Sequence, residues 1–174
     1  SVTAAKAGAK AIIRPDGTIV AGWIGGGCAR GAVLKAARDA LADGEPRNNF
    51  LKRAATWNEN GILKGARHVT LAGRWAYVAA DAGIVVLDLD DPLKPQLLAV
   101  VPVKGARASA LQFRYLFVTS DSGLEVVDVT TPAKAHRVEG VGVPLADARK
   151  VYLARSYAYV AAGADGLVIV DIEK

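Results

Sequence analysis

The residues best suited to chemistry lie in the first third of the chain, where one thiol stands directly behind three glycines: Gly25-Gly26-Gly27-Cys28. Ala29–Ala42 follows as an alanine-rich helix with Val33, Leu34, Ala37 and Leu41 on one stripe. Glycines let backbone approach a ligand closely, and the free N–H groups of a helix start favour a phosphate. Cys28 at that place has its thiolate form stabilised and offers a soft ligand to a metal or sulfur centre. The same four residues also read as a tight turn with Cys28 packed as a small apolar side chain. The residue chemistry leaves both readings open.

A second candidate set recurs along the chain. Arg67, Arg107 and Arg149 hold one position, and Asp81, Asp121 and Asp165 hold another. Such sets form either a ring of charge around an opening or structural pairs within and between repeats. Recurrence in every unit favours the structural role, since function singles out one unit. Ser109, Ser120 and Ser156 lack a nucleophile-elbow context, and His68 and His136 occupy unrelated repeat positions. With one cysteine and two histidines, neither an internal disulfide nor a closed zinc site is expected. No catalytic constellation emerges, and the chain reads as non-enzymatic.

The elements that must position these residues fall into two organisations. Lys10–Ile24 reads as a hairpin turning at Pro15-Asp16-Gly17, and Asp43-Gly44 with Pro46 ends the helix. Residues 48–60 are polar and irregular, a linker between a segment 1–47 and a region 61–174. That region repeats itself three times. Gly83-Ile84-Val85-Val86-Leu87-Asp88, Gly123-Leu124-Glu125-Val126-Val127-Asp128 and Gly166-Leu167-Val168-Ile169-Val170-Asp171 correspond. The spacing is 40 residues from Ala66 to Ala106 and 42 from Ala106 to Ala148. A strand-rich period of that length predicts β-propeller blades. In the first unit the strands read as His68–Leu71, Trp75–Ala79, Ile84–Leu89 and Gln96–Val103, with Gly61–Gly65 read as a strand in the place that Ala99–Gly105 holds before the second unit. Trp75, Tyr77, Phe117, Tyr157 and Tyr159 read as blade core, and Tyr115 and Tyr152 as candidates for a face. The predicted fold is mainly β: three propeller-type blades, a partial or oligomer-completed propeller, with a small α/β N-terminal segment of hairpin plus helix.

The net charge is +5, and residues 1–64 carry all of it, with ten Lys/Arg against five Asp/Glu. That excess suits an anionic ligand or a solvated surface; with no basic run interleaved with aromatics, nucleic acid is not expected. No apolar run reaches the roughly 18–20 residues of a membrane span. The chain opens on Ser1 with no basic-then-apolar leader, so it reads as processed or as an excerpt of something longer.

On the string Leu167-Val168-Ile169-Val170-Asp171 and its two partners, the three units resemble LVIVD repeats, a β-propeller type of surface and exported bacterial and archaeal proteins. The resemblance implies an interaction scaffold with a protein partner, at an exported or cell-surface location. Closed propellers use roughly four to eight blades. Three must belong to a longer chain, pair with another chain in a homo-oligomer, or close unusually.

Gly8-Ala9-Lys10, Asp16-Gly17, Gly22-Trp23-Ile24-Gly25-Gly26-Gly27-Cys28 and the helix behind them resemble a second family, the XdhC/CoxI maturation factors of molybdenum hydroxylases. The resemblance covers Gly8–Arg47. It implies a cytoplasmic chaperone that holds a molybdopterin-type molybdenum cofactor at Gly25, Gly26, Gly27 and Cys28. Its partner would be an apo molybdenum hydroxylase of the xanthine or carbon monoxide dehydrogenase type. Joining both segments in one chain gives a third expectation, a chimeric or fragmentary protein.

Overall fold

The computed structural model describes residues 11–14, 16, 18–22, 28–43 and 53–173. The chain divides into two compact units, Ser1–Ala54 and Ala55–Lys174. In the first, β1 (Ala11–Ile13) and β2 (Ile19–Gly22) pair antiparallel, with Ile12 opposite Ala21. The Asp16 carboxylate accepts the Thr18 N–H at 2.7 Å, and the Arg14 N–H donates to the Thr18 carbonyl at 2.9 Å. That side-chain turn is why Asp stands there. Helix α1 runs Cys28–Asp43, with Val33, Leu34 and Ala37 half-buried on the predicted stripe.

The second unit is three antiparallel sheets. Blade 1 orders β3 (His68–Ala72), β4 (Trp75–Ala80), β5 (Gly83–Asp88) and β6 (Gln96–Val101). Blade 2 repeats the meander with β7 (Ala108–Gln112), β8 (Tyr115–Ser120), β9 (Gly123–Asp128) and β10 (His136–Pro144). Blade 3 comprises β11 (Lys150–Ala154), β12 (Tyr157–Ala161) and β13 (Leu167–Asp171). The first strands β3, β7 and β11 lie side by side, so the blades stack face to face as in a propeller. The mainly-β prediction and the propeller-type blades hold.

Each first hairpin turns in two residues, Gly73-Arg74, Phe113-Arg114 and Arg155-Ser156, with φ of 57°, 55° and 55° at the leading residue. Two-residue turns need positive φ to match strand twist, which glycine supplies freely and phenylalanine does not. The aspartate closing each motif string makes a turn of its own. The carboxylates of Asp88, Asp128 and Asp171 accept the N–H two residues on, from Asp90, Thr130 and Glu173, at 2.8–3.0 Å. Each ends its strand in this way.

The core lies between the blades. Tyr77, Ala79, Ile84 and Val86 of blade 1 meet Leu116, Val118 and Val127 of blade 2. Phe117, Leu124 and Val126 of blade 2 meet Ala158 and Val160 of blade 3. Each fully buried Ile, Val or Leu contributes about 1.5–3 kcal/mol, so blades hold one another rather than themselves. The other face of blade 1 is covered by Trp57, Ile62 and Leu63. This lead-in is a correction to the strand placed at Gly61–Gly65. It is a 3-10 turn over Glu59–Gly61 followed by further turns. Asn60 and Gly61 take φ of 50° and 73°, and the Asn58 side chain accepts the Leu63 N–H at 2.8 Å, which curls the backbone away from an extended path.

Candidate functional site

The recurring arginines are structural, and the first two reach the next blade. Arg67 Nη2 pairs with Asp81 at 2.5 Å while its Nη1 reaches the Ala106 carbonyl of the next blade at 3.4 Å. Arg107 pairs with Asp121 at 2.8 Å and donates to the Ala148 carbonyl of blade 3 at 3.2 Å. In blade 3 Arg149 pairs with Asp147 at 2.6 Å, and Asp165, grouped by recurrence with Asp81 and Asp121, lies instead in an exposed 3-10 turn.

The reason is a residue exchange across one contact. A β-carbon on Gly65 would collide with the Asp81 carboxylate, and one on Gly105 with that of Asp121. In blade 3 the aspartate stands at the glycine's position, Asp147, and the glycine at the aspartate's, Gly163; a β-carbon there would collide with the Asp147 carboxylate. Backbone follows residue. Gly65 and Gly105 take φ of 67° and 68°, whereas in blade 3 the positive φ, 56°, belongs to Gly163. One carboxylate thus fills one slot in every blade, reached from either side. The Arg149 hydrogen bond holds the Asp147 carboxyl below its ordinary range, and Arg149 is raised in turn.

The remaining candidates separate. Tyr77 and Phe117 are buried as core, Trp75 and Tyr159 are half-buried, and Tyr157 and Tyr152 are exposed. His68 Nδ1 accepts the Ser109 N–H at 3.2 Å, linking blades 1 and 2. Ser109 Oγ also bonds Thr70 Oγ1 at 2.8 Å. His136 lies exposed beside the Lys134 carbonyl, and Ser156 lies in a hairpin turn. None of these forms a nucleophile–base pair. Gly25, Gly26 and Gly27 lie outside the described residues; Cys28 is the first residue of α1. Among the described residues, no group of three His, Cys, Asp or Glu could hold a metal ion.

What the residue reading missed is that blade 2 departs from its neighbours. Glu125 stands where blades 1 and 3 carry Val85 and Val168, and it is buried. Its Oε1 accepts from Ser120 Oγ at 2.6 Å and its Oε2 from Arg137 Nη1 at 2.9 Å. Arg137 also bonds both Glu139 oxygens at 3.1 Å. The partners come together because β10 bulges between Arg137 and Gly142, with Gly140 and Gly142 at φ of 70° and 154°. The two residues that lengthen the second spacing from 40 to 42 fall in this bulge, a signal present in the sequence. Both Glu125 oxygens are occupied, so the group is a satisfied ion pair rather than a free acid or base. One side of the bulge faces a cleft of about 290 Å³ lined by Glu125 and Arg137; the other faces an apolar cleft of about 360 Å³ lined by Phe117, Val138, Val141, Val170 and Ile172.

That apolar cleft borders an open sheet edge. In blades 1 and 2 the glycine that opens the third strand is covered by the end of the fourth. A β-carbon on Gly83 would strike the Val101 carbonyl and Val103 amide, and one on Gly123 the Val143 carbonyl and Leu145 amide. Gly166 of blade 3 has nothing over it among the described residues.

This architecture defines a repeat protein of propeller-type blades in which each blade completes the core of the next. The family comparisons agree: residues 65–101 and 146–173 match the LVIVD repeat, and residues 1–53 match the XdhC and CoxI family. The two matches fall in that order along the chain, the XdhC and CoxI family first and the LVIVD repeat second. The unmatched stretch between the two LVIVD matches contains Glu125 and the β10 bulge. No curated protein matches the chain. Among the described residues no helix is long and apolar enough to cross a membrane.

Proposed function

We propose that the repeat unit is a non-enzymatic scaffold for protein–protein interaction. The observation that carries this reading is the bare outer face of blade 3, where Tyr152, Tyr157, Leu167 and Ile169 are exposed together on one sheet. A contiguous apolar sheet face marks a protein-binding surface rather than a solvated one. The test places a photo-cross-linking residue at Tyr152 of the full chain in its host. The reading requires a discrete adduct with a second polypeptide that Ile169→Glu reduces at least roughly tenfold, as a charge forced into an apolar contact should. Absence of any protein adduct overturns it.

A second reading rests on the XdhC and CoxI match over residues 1–53. In it the N-terminal segment binds molybdopterin-type molybdenum cofactor for delivery to an apo molybdenum hydroxylase, with Gly25, Gly26, Gly27 and Cys28 as the binding residues. The cofactor would supply the redox centre of the receiving enzyme; this chain's share is to hold and release it. Purification from a host that makes the cofactor, followed by pterin assay, tests it. Pterin that co-purifies with the wild type and is lost in Cys28→Ser supports this reading, and a pterin-free wild type refutes it. A cytoplasmic location accompanies this reading, an exported or surface one the scaffold alone.

A further inference from the structure

Two adjacent hairpin tips carry side chains that the fold itself does not call for. The turn between the first two strands opens on Gly73 in blade 1, on Phe113 in blade 2 and on Arg155 in blade 3, at φ of 57°, 55° and 55°. Glycine takes that conformation freely, whereas a residue with a β-carbon is held there against its own preference. Asparagine and aspartate are the usual exceptions, because a short polar side chain bonds its own backbone. Neither phenylalanine nor arginine has that compensation. Packing does not supply it for Phe113 either, since the residue is 92% exposed. Arg155 is exposed as well. Backbone strain kept where it gives the fold nothing points to a use outside the fold.

The two tips stand side by side. Strands β7 and β11 are neighbours, and Gln112, next to Phe113, donates through Nε2 to the Arg155 carbonyl at 3.0 Å. The second residue of each turn sharpens the contrast. In blade 1 it is Arg74, whose Nε donates to Asp88 at 2.9 Å and whose Nη1 pairs with Asp90 at 3.3 Å. In blade 2 it is Arg114, and the corresponding carboxylate, Asp128, is taken by Thr130 instead, through its N–H at 2.8 Å and its hydroxyl at 2.5 Å. The Arg114 guanidinium lies over the Tyr115 ring, 5.1 Å from its centroid. Asp171, the third carboxylate at this end, accepts the Glu173 N–H at 3.0 Å. Among the described residues, the ion pairs of the repeat unit engage Arg67, Arg74, Arg107, Arg137 and Arg149. Arg114 and Arg155 stand outside that set.

We propose that the tips of blades 2 and 3 form a docking point for an acidic segment of another protein. Phe113 seats an apolar residue of that segment, and Arg114 and Arg155 bind carboxylates beside it. An exposed aromatic ring next to arginines is the composition of a binding hot spot. Each guanidinium offers a carboxylate two parallel N–H donors, which an ammonium does not. The acidic character of the partner follows from the two arginines left without an ion pair. The site lies at a junction of two blades already packed on each other. It shares with the scaffold reading only the class of partner, since the surface is not the outer face of blade 3.

Selection of random phage-displayed peptides on the immobilised full chain tests this, with each enriched peptide synthesised and titrated by fluorescence anisotropy. The enriched peptides are expected to carry Asp or Glu beside an apolar residue. Phe113→Gly should weaken them at least roughly 30-fold, the loss of an aromatic hot spot. The same substitution relieves the turn, so the variant stays folded and misfolding does not explain the loss. Arg114→Ala and Arg155→Gly should each weaken binding roughly tenfold. Raising the salt from about 50 to about 500 mM should weaken it at least roughly fivefold, because the charges are then screened over a shorter distance. No enrichment, or enriched peptides without acidic residues, overturns the proposal. Acidic peptides that ignore Phe113→Gly and are lost with Ile169→Glu sink the docking point and leave the scaffold reading standing. Capture by phosphatidylserine vesicles that Arg114→Ala abolishes, with no acidic peptide enriched, overturns a protein partner in favour of a membrane surface.

Discussion

The exchange of Asp147 and Gly163 makes a quantitative demand on stability. Asp147→Gly removes the carboxylate that Arg149 binds. The pair is largely solvent-exposed, at 64% and 37% for the two side chains, so water screens it and its loss alone costs little stability. The new glycine adds about 0.5–1 kcal/mol of chain entropy. Gly163→Asp alone is worse. It forces a non-glycine residue to φ of 56°, costing roughly 1–2 kcal/mol. Its side chain also enters the slot the Asp147 carboxylate already fills, and two carboxylates at about 4 Å repel by roughly 1 kcal/mol in water and more where water is excluded.

Together the two substitutions recreate the arrangement of Gly65 with Asp81, so the double variant should lie within about 1 kcal/mol of wild type rather than near the sum of the singles, and the favourable coupling should be about 2 kcal/mol. Chemical denaturation of the four proteins of the cycle at pH 7 measures it. Lowering the pH through the carboxylate range should return part of the stability of Gly163→Asp, since protonation relieves the repulsion. A coupling below about 0.5 kcal/mol would mean that the two sites are independent, and the shared slot would be refuted.

Three further outcomes follow from other contacts. Phe113 sits at φ of 55° and is 92% exposed, where blade 1 has Gly73, so Phe113→Gly should stabilise by about 1 kcal/mol in the same denaturation assay. Arg137→Ala strands the buried Glu125 carboxylate and should cost about 2 kcal/mol, whereas adding Glu125→Val, the residue type of Val85 and Val168, should restore most of it in thermal melts. Burial, with Lys150 nearby, holds His68 below its ordinary value of 6.5, and its Nδ1 must stay unprotonated to accept the Ser109 N–H. Below pH 6.5 the unfolded chain therefore binds the proton first, and stability should fall as pH drops through that value and the lower folded one. Melts in steps from pH 8 to 5 should show this loss, and His68→Asn, which keeps an acceptor, should flatten it.

Strand positions were legible because each motif string ends in an aspartate that makes its own turn, and because the apolar runs are too short for helices. The Arg67 and Arg107 pairs were legible by recurrence. The third pair was not, because matching Asp165 to Asp81 by residue type hides that a glycine two places earlier, Gly163, occupies the aspartate's position in the backbone. Counting from Ala66, Ala106 and Ala148 instead of by residue type finds it, since fifteen residues on stand Asp81, Asp121 and Gly163. The Glu125–Arg137 pair was hidden differently. Glu125 interrupts an apolar string, and its partner twelve residues on meets it only through the β10 bulge, whose sole trace is a spacing two residues longer.

Burial itself was the least legible quantity, and for a physical reason. Gly83–Asp88 and Leu167–Asp171 are both runs of Val, Ile and Leu closed by aspartate, yet the first is buried nearly throughout and the second alternates between exposed and half-buried. Local sequence sets only that each strand can be covered on both faces; whether it is covered depends on a blade some 40 residues away. Leu167 and Ile169 of β13 hold the positions that Ile84 and Val86 of blade 1 bury against blade 2, so the same apolar string reads alike in sequence and differs in burial.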